Sequence, residues 1–464
     1  MSTAKGMIVF MENSLEKKVT LTSLIKYTLP TVIMMMFFSL YTIVDGMYIS
    51  KFIGANALSS TNIVYPVINV LIGIGVMFAT GGSAIVAKTM GENKTEEARQ
   101  YFTLITISAI IVGIVVEIIC IIFINDIIYA LGSTQSLFFY CKEYLFFMII
   151  FTPFIILKLY FDYFLVTAGV PNLGLLSSVA GGILNIALDY VFIVQLNMGV
   201  RGAALATCIG YVLPSIVGII YFFNKKNLLY FVKPKFNFKV ILRSCFNGMS
   251  EMVTQISSAL TTFLFNIVMI KFLGEEGVAS ITIMLYMQFL LNAAYLGFTS
   301  GVSPRISYNY GRQDENQVEK LFKYSIIIIS AFDVITFIMS RAMSEILISL
   351  FATKGSTLFE LSHNGFMIFS ISFLVAGINI FGSGMFTAFS NGKISAILSL
   401  LRTFVFFLMG IFVLPRIMGV DGVWLVVPFA EVATMLVSLI FMYKYKKKYL
   451  YDNAFAFKRK ISVS

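Results

Sequence analysis

Twelve apolar stretches long enough to cross a bilayer fall into two halves that repeat one another at a constant offset of 220 residues. Lys51-Phe52-Ile53-Gly54 returns as Lys271-Phe272-Leu273-Gly274, and Phe78, Gly81 and Gly91 return as Phe298, Gly301 and Gly311. Thr167-Ala168 returns as Thr387-Ala388, and Gly199-Val200-x-Gly202 as Gly419-Val420-x-Gly422, with no gap needed. A duplicated helical bundle with a seam between its halves is a common plan of secondary carriers. The spans read as 24–49, 57–80, 101–124, 143–160, 172–194, 203–223, 246–270, 278–301, 322–340, 364–387, 394–414 and 423–443. Most reach the ~20 residues a bilayer core requires, the fourth being short. Spanning segments without alternating strands must be helices, because lipid leaves no partner for free backbone groups. The expected fold is an all-α integral membrane protein with an N-lobe at 1–223, a linker at 224–243, a C-lobe at 244–443 and a basic tail at 444–464.

Hydrophobic residues make up 58% of the chain and charged residues 12%, against soluble norms of about 45–50% and about 25%. The net charge of +11 raises the question of nucleic acid. Its placement excludes that reading. With the N-terminus inside, 27 of 34 Lys and Arg fall on the inner side, and only Lys51, Lys142, Arg201, Lys271, Arg341, Lys354 and Arg416 fall outside. That asymmetry places both termini in the cytoplasm. Lys225, Lys226, Lys233, Lys235, Lys239 and Arg243 lie in the linker. Lys444, Lys446, Lys447, Lys448, Lys458, Arg459 and Lys460 lie in the tail, which can also meet anionic lipid. The short apolar run at 7–11 lacks signal-peptide organisation, so the first span is expected to be the insertion signal.

Several chemistries lack their residues. No GxxxxGK[ST] loop is present, and Cys120, Cys141, Cys208 and Cys245 have no metal-ligand spacing. Cys141 alone is expected near the outer surface. His363, the single histidine, reads as an interfacial residue at the start of the tenth span. A membrane-embedded enzyme would therefore depend on a carboxylate pair.

A charge at bilayer depth costs roughly 2.5–3.5 kcal/mol, so each one needs a partner, water or a task. Asp45 lies 15 residues after Pro30 on the first span, about 22 Å along a helix, so the proline can bend the inner part away from it. Asn185 and Asp189 share a face of the fifth span. Two carboxylates and a carboxamide around one pocket make a hard-oxygen site for Na⁺, or a pair that shares a proton. Two separate aspartates at the outer headgroups fit the sequence equally. In the second half these positions are Phe265, Val405 and Met409, so the site is not duplicated. Instead the seventh span carries Asn247, Glu251 and Gln255 at helical spacing, continued by Ser258 and Thr262, and the eighth adds Gln288 and Asn292. This polar stripe is expected to face a cavity along the substrate pathway. Met34, Met35 and Met36 beside Phe37 and Phe38 offer an adaptable apolar wall. Lys158 and Arg402 read as snorkelling near the inner interface, while Glu117, Asp333 and Glu431 read as paired or near helix ends.

The runs Leu184–Ile193 and Met198–Thr207 resemble the multidrug and toxic compound extrusion (MATE) family. So do Val44-Asp45-Gly-Met-Tyr-Ile49, Phe52-Ile-Gly54, Gly419-Val-Asp-Gly-Val-Trp424 and Pro428-Phe-Ala-Glu431, and the likeness covers roughly residues 20–443. The resemblance implies a V-shaped pair of six-helix lobes exporting organic cations and amphiphiles in exchange for Na⁺ or H⁺. It also implies a cation site at Asp45, Asn185, Asp189 and Thr207, a bend at Pro30, and a coupling role for Glu251. It implies no cofactor beyond a bound Na⁺, and a monomer in a bacterial plasma membrane. The tenth span offers Asn379 where some relatives have an aspartate, and Ser250 stands where many have proline. A lipid-linked oligosaccharide flippase of the same superfamily is the alternative; it would line its cavity with Arg and Lys.

Overall fold

The computed structural model describes residues 14–349 and 351–455, and no strand occurs among them. Among the described residues, ten helices are long and apolar enough to cross a membrane, and a bent pair makes an eleventh crossing. One of the ten is two helices, because Gly274 breaks Phe238–Gly311 with φ 62° and ψ −146°. The resulting N-lobe helices are α1 (Leu21–Tyr48), α2 (Ala55–Gly91), α3 (Thr95–Ile122), α4, α5 (Pro171–Asp189) and α6 (Gly199–Phe223). α4 is the bent pair, Gln135–Ile150 and Thr152–Thr167, meeting at 56°. The C-lobe holds α7 (238–273), α8 (275–311), α9 (Glu315–Ala342), α10 (Thr357–Ala388), α11 (Gly392–Met418) and α12 (Val426–Tyr445). The fourth span reads short because Pro153, at the start of its second helix, places the bend inside it.

The repeat has a conformational basis. Gly54 and Gly274 have φ 115° and 62°, and Gly199 and Gly419 have φ 60° and 61°. Each opens a helix from a left-handed backbone that a side chain would strain. Short helices Ile124–Ala130 and Ser344–Ser349 also recur at the offset. So do two inner caps. Leu229 is fully buried in the N-lobe core, and its counterpart Tyr449 is 2% exposed in the C-lobe core, stacked 4.5 Å from Phe389. The linker is thus packed: Arg99 Nε donates to Leu228 O (3.1 Å) and Val232 N to Thr103 Oγ1 (3.1 Å). α7 begins at Phe238, inside the stretch the sequence assigns to the linker. The tail folds back through Tyr451, stacked 4.2 Å from Phe322; Lys458, Arg459, Lys460 and the run 7–11 lie outside the described residues.

The lobes exchange helix halves at their inner ends. Val19, Leu24 and Val32, leading into and along α1, are buried in the C-lobe core. Val240 of α7 is buried in the N-lobe core, with Ile241, Cys245 and Met249 against it. Farther out, α1 packs on its own lobe, where Gly182 of α5 admits Phe37 and Tyr41. α1 therefore changes partners near Pro30, although its helix is continuous across that residue. Backbone contact between α2 and α7–α8 closes the cleft at this end. A Cβ on Gly81 would meet Ser244 O at 2.0 Å, and one on Gly91 would meet Tyr308 O at 2.0 Å. Farther out the rings of Phe38 and Phe289 meet edge-on across the seam, their centroids 6.4 Å apart.

Candidate cation and substrate site

Glycine packing builds the N-lobe site. Gly181 of α5 lies against Gly210 of α6, where a Cβ would meet the Gly210 carbonyl at 2.5 Å. That approach sets Asn185 beside Thr207, and Asn185 Nδ2 donates to Thr207 Oγ1 at 3.4 Å. Gly182, admitting Tyr41, draws α1 onto α5 so that Asp45, one turn beyond Tyr41, meets Asp189. The two carboxyls stand within hydrogen-bonding reach of each other. Asp189 is fully buried and Asn185 is 1% exposed, while Asp45 is partly open. Asp45 Oδ1, Asn185 Oδ1 and both Asp189 carboxyl oxygens have no other partner. Four buried acceptors without donors, three of them on the opposed carboxyls, fit a cation or a shared proton. Both helices continue as π-helix immediately beyond the site, at Ile49–Ile53 and Tyr190–Gln195. Such widened turns recur at functional sites. The structure thus brings Asp45, Asn185, Asp189 and Thr207 together.

The C-lobe stripe divides. Glu251 lines a cavity of about 30 Å³ where the lobes meet, with Thr80, Ser83 and Tyr163 from the N-lobe and Ser303 and Thr387 from the C-lobe. Gln255 packs against Gly73 of α2. Gln288 and Asn292 are partly exposed beside Phe289, and Asn292 Oδ1 has no partner. Asn247 and Met34 are 2% and 3% exposed, so neither lines an open cleft wall. Asn247 Nδ2 donates to Thr387 O of α10 at 2.9 Å and to Gly81 O of α2 at 3.5 Å. Ser250 meets Thr387 Oγ1 at 3.4 Å in an unbent helix. Asn379 is committed elsewhere, donating to Glu431 Oε2 at 2.7 Å, and cannot complete a carboxylate site with Glu251.

Three readings from the sequence are corrected. Lys158 does not snorkel; it is 5% exposed and pairs with Asp162 at 2.8 Å, over the Phe38 ring at 4.7 Å. Arg402 pairs with Glu431 at 2.7 Å. Cys141 is buried, directed to Ser60 O at 3.6 Å. Asp162, which also accepts from Ser178 Oγ at 2.8 Å, was missed. Its signal was the i,i+4 spacing from Lys158, which allows two charges to neutralise each other inside a helix pair. Removing one partner of a buried pair costs roughly 3–5 kcal/mol. Lys158→Met should therefore lower the melting temperature of the purified protein, and Lys158→Met with Asp162→Leu should recover most of it. A single variant that melts like wild type would deny the pair this structural weight.

Paired charges inside two helical lobes, a closed inner seam and an unpartnered carboxyl pair define a polytopic carrier. The MatE family model matches residues 30–191 and 251–413. The chain belongs to the MatE family, whose members are membrane transporters rather than enzymes. Multidrug export protein MepA of Staphylococcus saprophyticus subsp. saprophyticus is 25% identical over 433 residues, 90% of this chain and 94% of that protein. MepA of Staphylococcus haemolyticus is 24% identical over 437 residues, 93% and 95% of the two chains. An outward-facing multidrug resistance MATE family transporter of the MOP superfamily has the same fold, with a TM-score of 0.88 at 21% identity, covering 97% of this chain and 99% of that one.

Proposed function

We propose that the protein is a multidrug efflux antiporter that exchanges organic cations and other amphiphiles for Na⁺ or H⁺ by alternating access. The observation that carries the reading is the opposed Asp45 and Asp189 carboxyls with unpartnered oxygens. An entering cation or proton lowers the negative charge of the pair and changes how α1 sits on α5, beyond the bend point at Pro30. Substrate leaves the cleft between Phe38 and Phe289, and the ion-loaded carrier turns inward. Work is extracted only because the ion binds the two states unequally. Glu251, with Gln288 and Asn292, supplies the cleft's cation preference, and the names of the staphylococcal relatives support drug-like cargo. The flippase reading is disfavoured because Lys158 and Arg402 are neutralised by Asp162 and Glu431, leaving neither free for pyrophosphate. The carrier acts as a monomer in the cell membrane, with both termini in the cytoplasm.

The test is efflux of a fluorescent organic cation from proteoliposomes under an imposed Na⁺ gradient and, separately, a pH gradient. Acceleration of at least about tenfold by one of them is expected and identifies the ion. Movement indifferent to both gradients would overturn the antiport reading.

A further inference from the structure

The segment before α1 is held by both lobes at once. Leu15 is fully buried in the N-lobe core, and Val19 is 2% exposed in the C-lobe core. On the N-lobe side, Ser14 Oγ donates to Gly169 O at 3.0 Å. On the C-lobe side, Arg305 Nη2 donates to Ser14 O at 2.7 Å and Tyr308 OH to Glu16 Oε1 at 2.5 Å. Val19 N donates to Gln317 Oε1 at 2.8 Å. Arg305 is 2% exposed, and its guanidinium lies 4.4 Å over Tyr27, whose hydroxyl donates to Val166 O in the N-lobe at 2.6 Å. Its hydrogen-bond partners are the Ser14 carbonyl and, at 3.4 Å, the Ser23 hydroxyl, and its Nε has none.

A guanidinium enclosed with so few acceptors is costly to keep dry. Ser14 and Tyr27, which hold it, are themselves tied to α4 and the turn after it. When the inner ends part, one strap cannot remain seated on both lobes, and Arg305 gains water. The contacts at residues 14–20 therefore exist in the inner-closed state and must break in the inner-open one. A set of bonds present in only one of two states biases the balance between them.

We propose that residues 14–20 form a cytoplasmic latch across the inner gate, with Arg305 as its positioning residue, holding the carrier inner-closed until it is released. This inference rests on the alternating-access reading above. It accounts for a buried arginine far from the carboxyl pair and for a strap whose two apolar side chains enter different cores. α1 continues from the strap toward Asp45, so ion binding and latch release act on one helix.

The test uses the full chain with spin labels at Glu96→Cys and Asn316→Cys, exposed positions at the inner ends of α3 and α9, in a Cys245→Ser background. The other cysteines are buried. Electron–electron distance measurements should show one predominant short separation in the parent. Arg305→Gln should raise the ratio of long to short separations about tenfold, and Arg305→Lys less, since it keeps the charge but not the fork. A purely structural role would lower the melting temperature without changing that ratio. If Arg305→Gln does not accumulate, Glu16→Gln with Gln317→Ala, which weakens the latch near its surface, should move the ratio in the same direction. Unchanged distance distributions in these variants would overturn the latch. Gradient-independent efflux together with a shifted ratio would leave the latch standing and remove the coupling reading instead.

Discussion

Asp45→Asn should abolish ion-driven export, cutting gradient-dependent efflux at least about a hundredfold, while the protein still inserts and binds its organic cation. A unit charge about 4 Å from a cation in a partly dry site is worth roughly 4 kcal/mol, or about a thousandfold in ion affinity. Asparagine preserves the shape and removes the charge. Asp189→Asn should match it, because the carboxyls act as one unit. The double variant should be little worse than either single one, since coupled residues are not additive. Efflux from proteoliposomes and equilibrium binding in detergent, measured side by side, separate lost coupling from lost substrate affinity. If the double variant is far worse than both single ones, the aspartates act separately and the shared site is wrong.

That pair shows how much could be read from the chain. Asn185 and Asp189 share a helix face by spacing alone, but joining Asp45 to them depends on α1 lying against Gly182 across the lobe. Spacing along one helix cannot supply that contact. The resemblance implied it, and the packing gives its physical cause. The spans and their duplication were legible because lipid enforces long apolar helices, and because Gly54/Gly274 and Gly199/Gly419 mark backbone turns. The α4 bend was not, since a proline near a helix start is also compatible with an unbroken span. Lys158 and Arg402 were misplaced for a related reason. Their partners Asp162 and Glu431 are visible in sequence, but snorkelling and pairing place the same residues at different depths, and only tertiary contact decides.

The exchanged halves of α1 and α7 connect site and gate. α1 touches the carboxyl pair in its outer half and the C-lobe in its inner half, where Gly297 and Gly301 of α8 leave room for Val32 and Thr31. A change in how Asp45 meets Asp189 therefore alters the helix that helps close the opposite end. Coupling by this route needs one rigid element with two seatings, not a chain of small displacements.

The same geometry makes Gly248→Val the severest change expected away from the carboxyls. A Cβ at Gly248 would lie 2.0 Å from Met77 O and 2.9 Å from Met77 Cα, so the α2 backbone must move away. Within α7 the substitution is mild, because valine is at least as favourable as glycine in a helix. The damage is confined to contact between lobes, which the inner-open state does not use. Transport should fall at least about tenfold, with the protein still folded and biased toward inner opening. Ser244→Cys supplies the reporter. Ser244 is fully buried and its hydroxyl has no partner, so the parent thiol should resist a membrane-impermeant reagent from the cytoplasmic face. With Gly248→Val it should react. Gly174→Ala is the control, since a Cβ there makes only ordinary contacts at 3.7 Å and beyond, and it should transport within about twofold of the parent. Wild-type transport in Gly248→Val, with Ser244→Cys still protected, would show that the α2–α7 contact does not close the inner gate.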